Sequence, residues 1–425
     1  VDDQRPLESQ VNTYSRPSEL KITDMRVCHL RGLPMDCSLI RLDTNQGISG
    51  YGEVRDWASP TYALMLKSRL IGENPCNIDK IFRKIKQFGH HGRQGGGVSG
   101  IEMALFDLAG KAYNVPAYQL LGGKFRSQVL CYCDTDSSPD GRQMGERLKR
   151  RMDRGFKFLK MDVGIGLLRD VPGALSAPPE MLDSTTIMHP FTGIQVTQLG
   201  IEYLVEYVRQ VREIIGYEIP LAADHFGHLT VESAIRLGRA LDRFTLAWYE
   251  DVIPWQLTDQ WVRLAQSVTT PLCTGEDIYL KEGFRPLLEA HGVSVIHPDL
   301  ATAGGLLETK KIGDLAQEHG VAMAMHFAGS PVSFLANIHC AAATENFYVL
   351  ENHSVDIDWW DNLISGITAP LIQAGYARVP ETPGLGFTDV QEAALQDCID
   401  TARRGGYFEA STDWDDERSH DRLWS

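Results

Sequence analysis

From Val129 onwards the chain alternates short apolar runs with helical stretches, a rhythm that restricts it to a parallel sheet covered by helices. The runs are VLCYCD, FKFLKMDV, PLAADH, LAWYED, PLCTGED, SVIHPDL, VAMAMH and NFYVLEN. Eight strand–helix units favour a closed (β/α) barrel over an open doubly wound sheet, so the fold class is read as α/β. The runs end on Lys160 and Asp162, Asp224, Glu250, Glu276, Asp299, His326 and Glu351. From Asp224 the intervals are 26, 26, 23, 27 and 25 residues, each the length of one unit. Barrels of this kind work at the carboxyl ends of their strands, so these groups are predicted to converge on one mouth.

A different pattern precedes the barrel. KITDMRVCHL, CSLIRLDTN, a QG turn and ISGYGEV predict a small antiparallel meander over about residues 21–54. A helical stretch follows, with Ile101, Ala104, Leu105, Leu108 and Ala109 at three- and four-residue steps. The organisation predicted is an α+β unit at 1–125, the barrel at 126–370, and a C-terminal segment at 371–425 that folds back on the first unit. Residues 164–198, rich in Pro, Ser and Thr, are expected to form a lid or an interface element.

The formal net charge of −15 argues against a nucleic-acid partner, and no run approaches the ~18 apolar residues of a membrane span. The basic stretch ERLKRRMDRG is read as a solvated helix face. Cys131 and Cys133 alternate with Tyr132 and are read as packing, because no second Cys or His pair accompanies them. With eight cysteines in 425 residues, a reducing cytoplasm is the default expectation. The first residue is Val1, which is compatible with removal of a leader or tag.

A single acidic residue at a strand end can be a helix cap or a loop anchor. Three on adjacent strands, Asp224, Glu250 and Glu276, would repel one another without a cation, and their hard oxygens suit Mg²⁺ rather than zinc. His326 lies one strand from Asp299, a carboxylate able to fix its tautomer and raise its basicity.

The ordered strings KMD, AADH, WYED, TGED, HPDLATAGG, MHFAGSP and LENHS resemble the mandelate racemase subgroup of the enolase superfamily. The helix GIEMALFDLAGKA, LLGGK and the late PGLGF extend that resemblance over about residues 20–390. It implies a modified barrel with a capping domain, Mg²⁺ on Asp224, Glu250 and Glu276, and a homo-oligomer. The implied chemistry is abstraction of the proton α to a substrate carboxylate, with His326–Asp299 as base and Glu351 as the acid on that carboxylate. Loops of the capping domain, with Trp57 among them, would cover the mouth.

One departure bears on the reaction. Related racemases end the second strand with Lys-x-Lys, whereas this chain has Lys160-Met161-Asp162. An aspartate beside a cation ionises and cannot replace a lysine base. Lys160 would neutralise the substrate carboxylate, and a single base points to dehydration of a sugar acid rather than two-base racemisation. A cycloisomerase, an epimerase or racemase, and an inactive sugar-acid-binding barrel are the competing readings. His228, His353, Asp162 and Arg93 are further candidates for substrate contact.

Overall fold

The computed structural model describes residues 15–33, 35–90, 95–177, 194–224, 226, 229–396, 398–400, 402–403 and 405–416. Arg93 and His228 lie outside the described residues, as do His225 and residues 178–193 of the expected 164–198 element.

The first unit is a meander of β1 (Ile22–Leu30), β2 (Cys37–Thr44) and β3 (Ser49–Val54), all antiparallel. The helix Gly96–Tyr113 packs across it. Why that approach is so close can be read in the ISGYGEV string. A Cβ on Gly52 would sit 1.9 Å from the Gly100 carbonyl oxygen, and one on Gly50 would sit 2.4 Å from that of Ala104. Only glycine leaves room for the helix backbone there.

After the short β4 (Gln128–Leu130), the barrel strands are β5 (Leu159–Asp162), β8 (Leu221–Asp224), β9 (Tyr249–Glu250), β10 (Leu272–Thr274), β11 (Val295–Ile296), β12 (Ala322–Met325) and β13 (Phe347–Leu350). These seven form one parallel sheet in sequence order. Between β5 and β8 lies a two-stranded ribbon of β6 (Leu175–Ser176) and β7 (Gln195–Val196).

The first of the eight expected strands joins differently. Its β4 portion pairs with β15 (Tyr376–Arg378), which pairs in turn with β14 (Ile372–Gln373). Cys131 then makes a parallel bridge to Leu350, and the Tyr132 N–H donates to the Leu350 carbonyl at 2.9 Å. On its other side the Tyr132 ring lies 5.3 Å from that of Phe158, so the circle closes through side chains as well as backbone. Cys131 and Cys133 are both buried free thiols, pushed above their ordinary range by burial.

Three buried carboxylates fasten the first unit to the rest. Glu102 accepts from the N–H groups of Leu306 (2.7 Å) and Leu307 (2.9 Å), which open a barrel helix. Glu53 accepts from Ser330 N–H, ahead of the helix Pro331–Ala343. Asp107 accepts from Leu385 N–H at 2.9 Å. The two glutamates use helix N-termini, where unpaired N–H groups favour negative charge. The C-terminal segment returns to the meander, with Leu30 bridged to Ile399 and Asp400 N–H donating to His29. Among the described residues no helix is long and apolar enough to cross a membrane.

Candidate active site

One buried apolar cluster takes a residue from each of the eight barrel segments: Tyr132, Phe158, Ala222, Trp248, Cys273, Val295, Ala324 and Val349. Side chains alternate along a strand, so the residues two further on share the same inward face. They are Asp134, Lys160, Asp224, Glu250, Gly275, His297, His326 and Glu351. The polar layer therefore rests directly on the apolar ring, and nearly all of it is ionisable.

The buried charges are paired across neighbouring strands. Lys160 Nζ lies 2.7 Å from Asp224 Oδ2 and 2.6 Å from Glu351 Oε1. Burial opposes its charge, but Asp224, Glu250 and Glu351 together hold the ammonium well above the ordinary lysine range. Glu351 is likewise held well below the usual carboxylate range, since Lys160 and then His353 outweigh its burial. Glu250 accepts from Trp248 Nε1 at 2.6 Å, and His297 Nδ1 lies 2.5 Å from its other oxygen. The Tyr132 hydroxyl is 3.1 Å from His297 Nε2.

His326 and Asp299 meet as expected from the sequence. Nδ1 and Oδ2 are 2.6 Å apart, and the two residues form a parallel bridge. Asp299 is fixed by its own loop, because Oδ1 accepts from the N–H groups of Ala301 (2.6 Å) and Thr302 (3.1 Å). That leaves Nε2 of His326 facing Glu276 at 3.4 Å. Burial disfavours the imidazolium, yet Glu276 and the Asp299 hydrogen bond push His326 up to about 10.

The first unit contributes directly to this dyad. Buried Arg55, just beyond β3, places Nη1 2.5 Å from Asp299 Oδ2 and 3.4 Å from His326 Nδ1. Its Nε is 2.5 Å from Asp56. Arg55 and His326 together hold Asp299 below the usual carboxylate range against the effect of burial. Trp57 turns the other way. It is 63% exposed and lines a separate cavity with Lys67 and Trp414, so the structure does not bring it into the charge cluster.

His353 does join the cluster, 3.4 Å from Glu351 Oε1 and 3.4 Å from Asp134 Oδ2. Asp162 pairs in register with Asp224 at the end of β5.

The expected trio of metal ligands stands at the ends of adjacent strands, but the all-carboxylate group whose oxygens come together has Asp251 in place of Glu276. Asp224, Glu250 and Asp251 each offer an oxygen within 4.8 Å of the others. Glu276 is one residue off the +2 position, which Gly275 occupies with φ +146°. A Cβ there would meet Phe284 at 2.7 Å. Glu276 is drawn instead towards His326 and Arg55, whose charges lower it despite burial. Asp251 is pushed well above the usual carboxylate range by burial and by Glu276, Glu250 and Asp224. Carboxylate oxygens crowded within 4.8 Å of one another are hard donors whose mutual repulsion a divalent cation relieves, so this donor set fits one.

The sequence pattern does not assign Asp134, Asp251, His297 or Tyr132 to the site. Taking SVIHPDL as a strand that ends at Asp299 hides His297, whose place two residues after buried Val295 marks it as inward-facing. Tyr132, between two cysteines in the sequence, carries no sign that its hydroxyl meets His297. Arg55 opens the same capping loop as Trp57, which the resemblance sets over the mouth, but its contact with Asp299 depends on how the first unit docks.

The family model described as enolase C-terminal domain-like matches residues 143–393, and the mandelate racemase/muconate lactonizing enzyme N-terminal domain matches 33–122. The chain is 36% identical over 380 residues to a D-xylonate dehydratase of Haloferax volcanii, covering 87% of each. It is 26% identical to an arabinonate dehydratase of Saccharolobus solfataricus, covering 84% of this chain and 88% of that protein. A mandelate racemase/muconate lactonizing enzyme-like protein from Rubrobacter xylanophilus superposes with a TM-score of 0.79 at 29% identity, covering 91% of this chain and 99% of that one. With its strand-end charge layer, its capping meander and these matches, the chain belongs to the mandelate racemase/muconate lactonizing enzyme family of the enolase superfamily.

Proposed function

We propose that the chain is a Mg²⁺-dependent sugar-acid dehydratase acting with one base. The observation that carries this reading is the asymmetry of the mouth. On one side stands His326, oriented by Asp299 at 2.6 Å. Across from it Lys160 is locked between Asp224 and Glu351 and keeps its proton. Asp162 stands where a second lysine would be needed for two-base chemistry.

His326 Nε2 accepts the proton from the carbon α to the substrate carboxylate, and the electron pair moves into an enediolate. The C–O bond at the β carbon then breaks, and the same imidazole returns its proton to the departing hydroxyl as water. The resulting enol tautomerises to a 2-keto-3-deoxy acid. Mg²⁺ held by Asp224, Glu250 and Glu276, with Asp251 beside them, would stabilise charge developing on the substrate carboxylate and offset the carboxylate field that raises His326. Glu351, held well below the usual carboxylate range, positions Lys160 at 2.6 Å and is not the proton-donating acid that the resemblance implied. Arg55 holds Asp299 from the capping side.

The relatives named for D-xylonate and arabinonate make five-carbon aldonates the first substrates to try. Enzyme and Mg²⁺ are incubated with a sugar-acid library, and products are trapped with semicarbazide. A 2-keto-3-deoxy acid is expected. Epimers without loss of water would overturn the single-base reading.

A further inference from the structure

The basic stretch set aside as a solvated face has a second feature in three dimensions. It runs along the helix Gly141–Asp153 to its C-cap Arg154, and Arg147, Arg150, Arg151 and Arg154 follow at steps of three, one and three residues, which puts them on one stripe. The stripe lines a cavity of about 470 Å³, shared with Asp136 and Asp356. That size is within the range of small-molecule sites.

The charges there do not balance. Asp356 receives Arg151 through two nitrogens and Arg154 through one at 2.6 Å. Arg151 is otherwise buried and also donates to Thr135 Oγ1 at 3.2 Å, so one wall of the cavity is rigidly built. Among the described residues Arg147 donates to the backbone carbonyls of Asp136 (2.8 Å) and Ser137 (2.6 Å) and to no carboxylate. Among the described residues the Arg150 guanidinium has no carboxylate or hydrogen-bond partner. Four guanidinium groups thus face two carboxylates, in a chain whose net charge is −15. Like charges three and four apart on a helix destabilise it, and an anion between them would reverse that effect.

We propose that this cavity binds an oxyanion group of a small molecule, phosphate or carboxylate, through the forked donors of Arg147 and Arg150 against the fixed Arg151–Asp356 wall. Guanidinium forks match both anions in geometry, and Lys160 is not among the residues that line this cavity.

The Mg²⁺-loaded enzyme is titrated calorimetrically with inorganic phosphate in one arm and malonate in the other. One anion per chain should bind saturably in at least one arm, and the responding arm identifies the source. The double variant Arg147→Ala/Arg150→Ala should weaken that binding by roughly tenfold or more. Its fold, checked by circular dichroism, and its sugar-acid turnover should be unchanged, because neither arginine touches the mouth. No saturation by either anion below about 10 mM would overturn the proposal. So would binding that the double variant leaves intact, since the anion would then sit elsewhere. A change of oligomeric state in the variant, without anion binding to the parent, would assign the stripe to a contact between copies instead.

Discussion

The apolar ring from Tyr132 to Val349 and the polar layer two residues beyond it are carried by the same strands, side by side, yet they are held by different forces. In the ring Trp248 stacks 4.8 Å from Phe158 and the cluster is almost fully buried, so burial alone favours it. In the layer most side chains are as deeply buried, and each buried charge would be costly without its partner. The difference shows most plainly in two buried histidines. His326 is raised to about 10 by Glu276 and Asp299, whereas His339, in the helix Pro331–Ala343, is lowered to about 4 chiefly by burial. Equal burial gives opposite protonation, and neighbouring charge decides which.

That contrast can be broken at several points. The largest effect is expected from His326→Asn. Exchange of the substrate α-proton in D₂O should fall by about 10²–10⁴-fold while Mg²⁺ binding persists. Exchange at the parent rate would remove His326 from the base position.

His339 tests the burial side. Its folded value of about 4 lies below the ordinary 6.5, so the folded state favours the neutral ring. The associated stability is complete above pH 6.5 and declines as pH falls from there through 4, by about 3 kcal/mol in all. Urea midpoints at pH 7.5 and 4.5 measure it, and the parent should lose more than His339→Gln. Equal losses would mean that this ring is not what burial holds neutral.

Trp248→Phe acts where the two layers meet, because Nε1 donates to Glu250 at 2.6 Å. Loss of a hydrogen bond to a charged acceptor should cost about 2 kcal/mol in urea unfolding. Metal affinity should change as well, since Glu250 loses an orienting contact. Unchanged affinity would separate the ring from the layer.

The smallest effect is expected from Trp57→Ala. At 63% exposure the side chain contributes under about 0.5 kcal/mol to stability. Turnover should also hold, as Trp57 lines a different cavity. A tenfold drop would return it to the role of a lid that the sequence suggested.

Much of the site was legible because a barrel converts linear spacing into convergence. Once the strands ending at Asp224, Glu250, Asp299, His326 and Glu351 are identified, parallel pairing must bring their ends to one rim. The His326–Asp299 pair follows from adjacent strands alone. The offset of Glu276 was not legible, since it depends on Gly275 filling a position where a Cβ would meet Phe284.

By itself the sequence determined the strand–helix rhythm, the glycines that let a helix lie on β3, and the order of charged residues around the mouth. These are properties of periodicity and of single residues, which local chemistry fixes. Only the tertiary structure decided that Arg55 reaches Asp299, that Lys160 is immobilised between two carboxylates, and that four arginines enclose a cavity. Each depends on groups distant in the chain, and the strength of a charge is set by what burial and neighbours do to it in space.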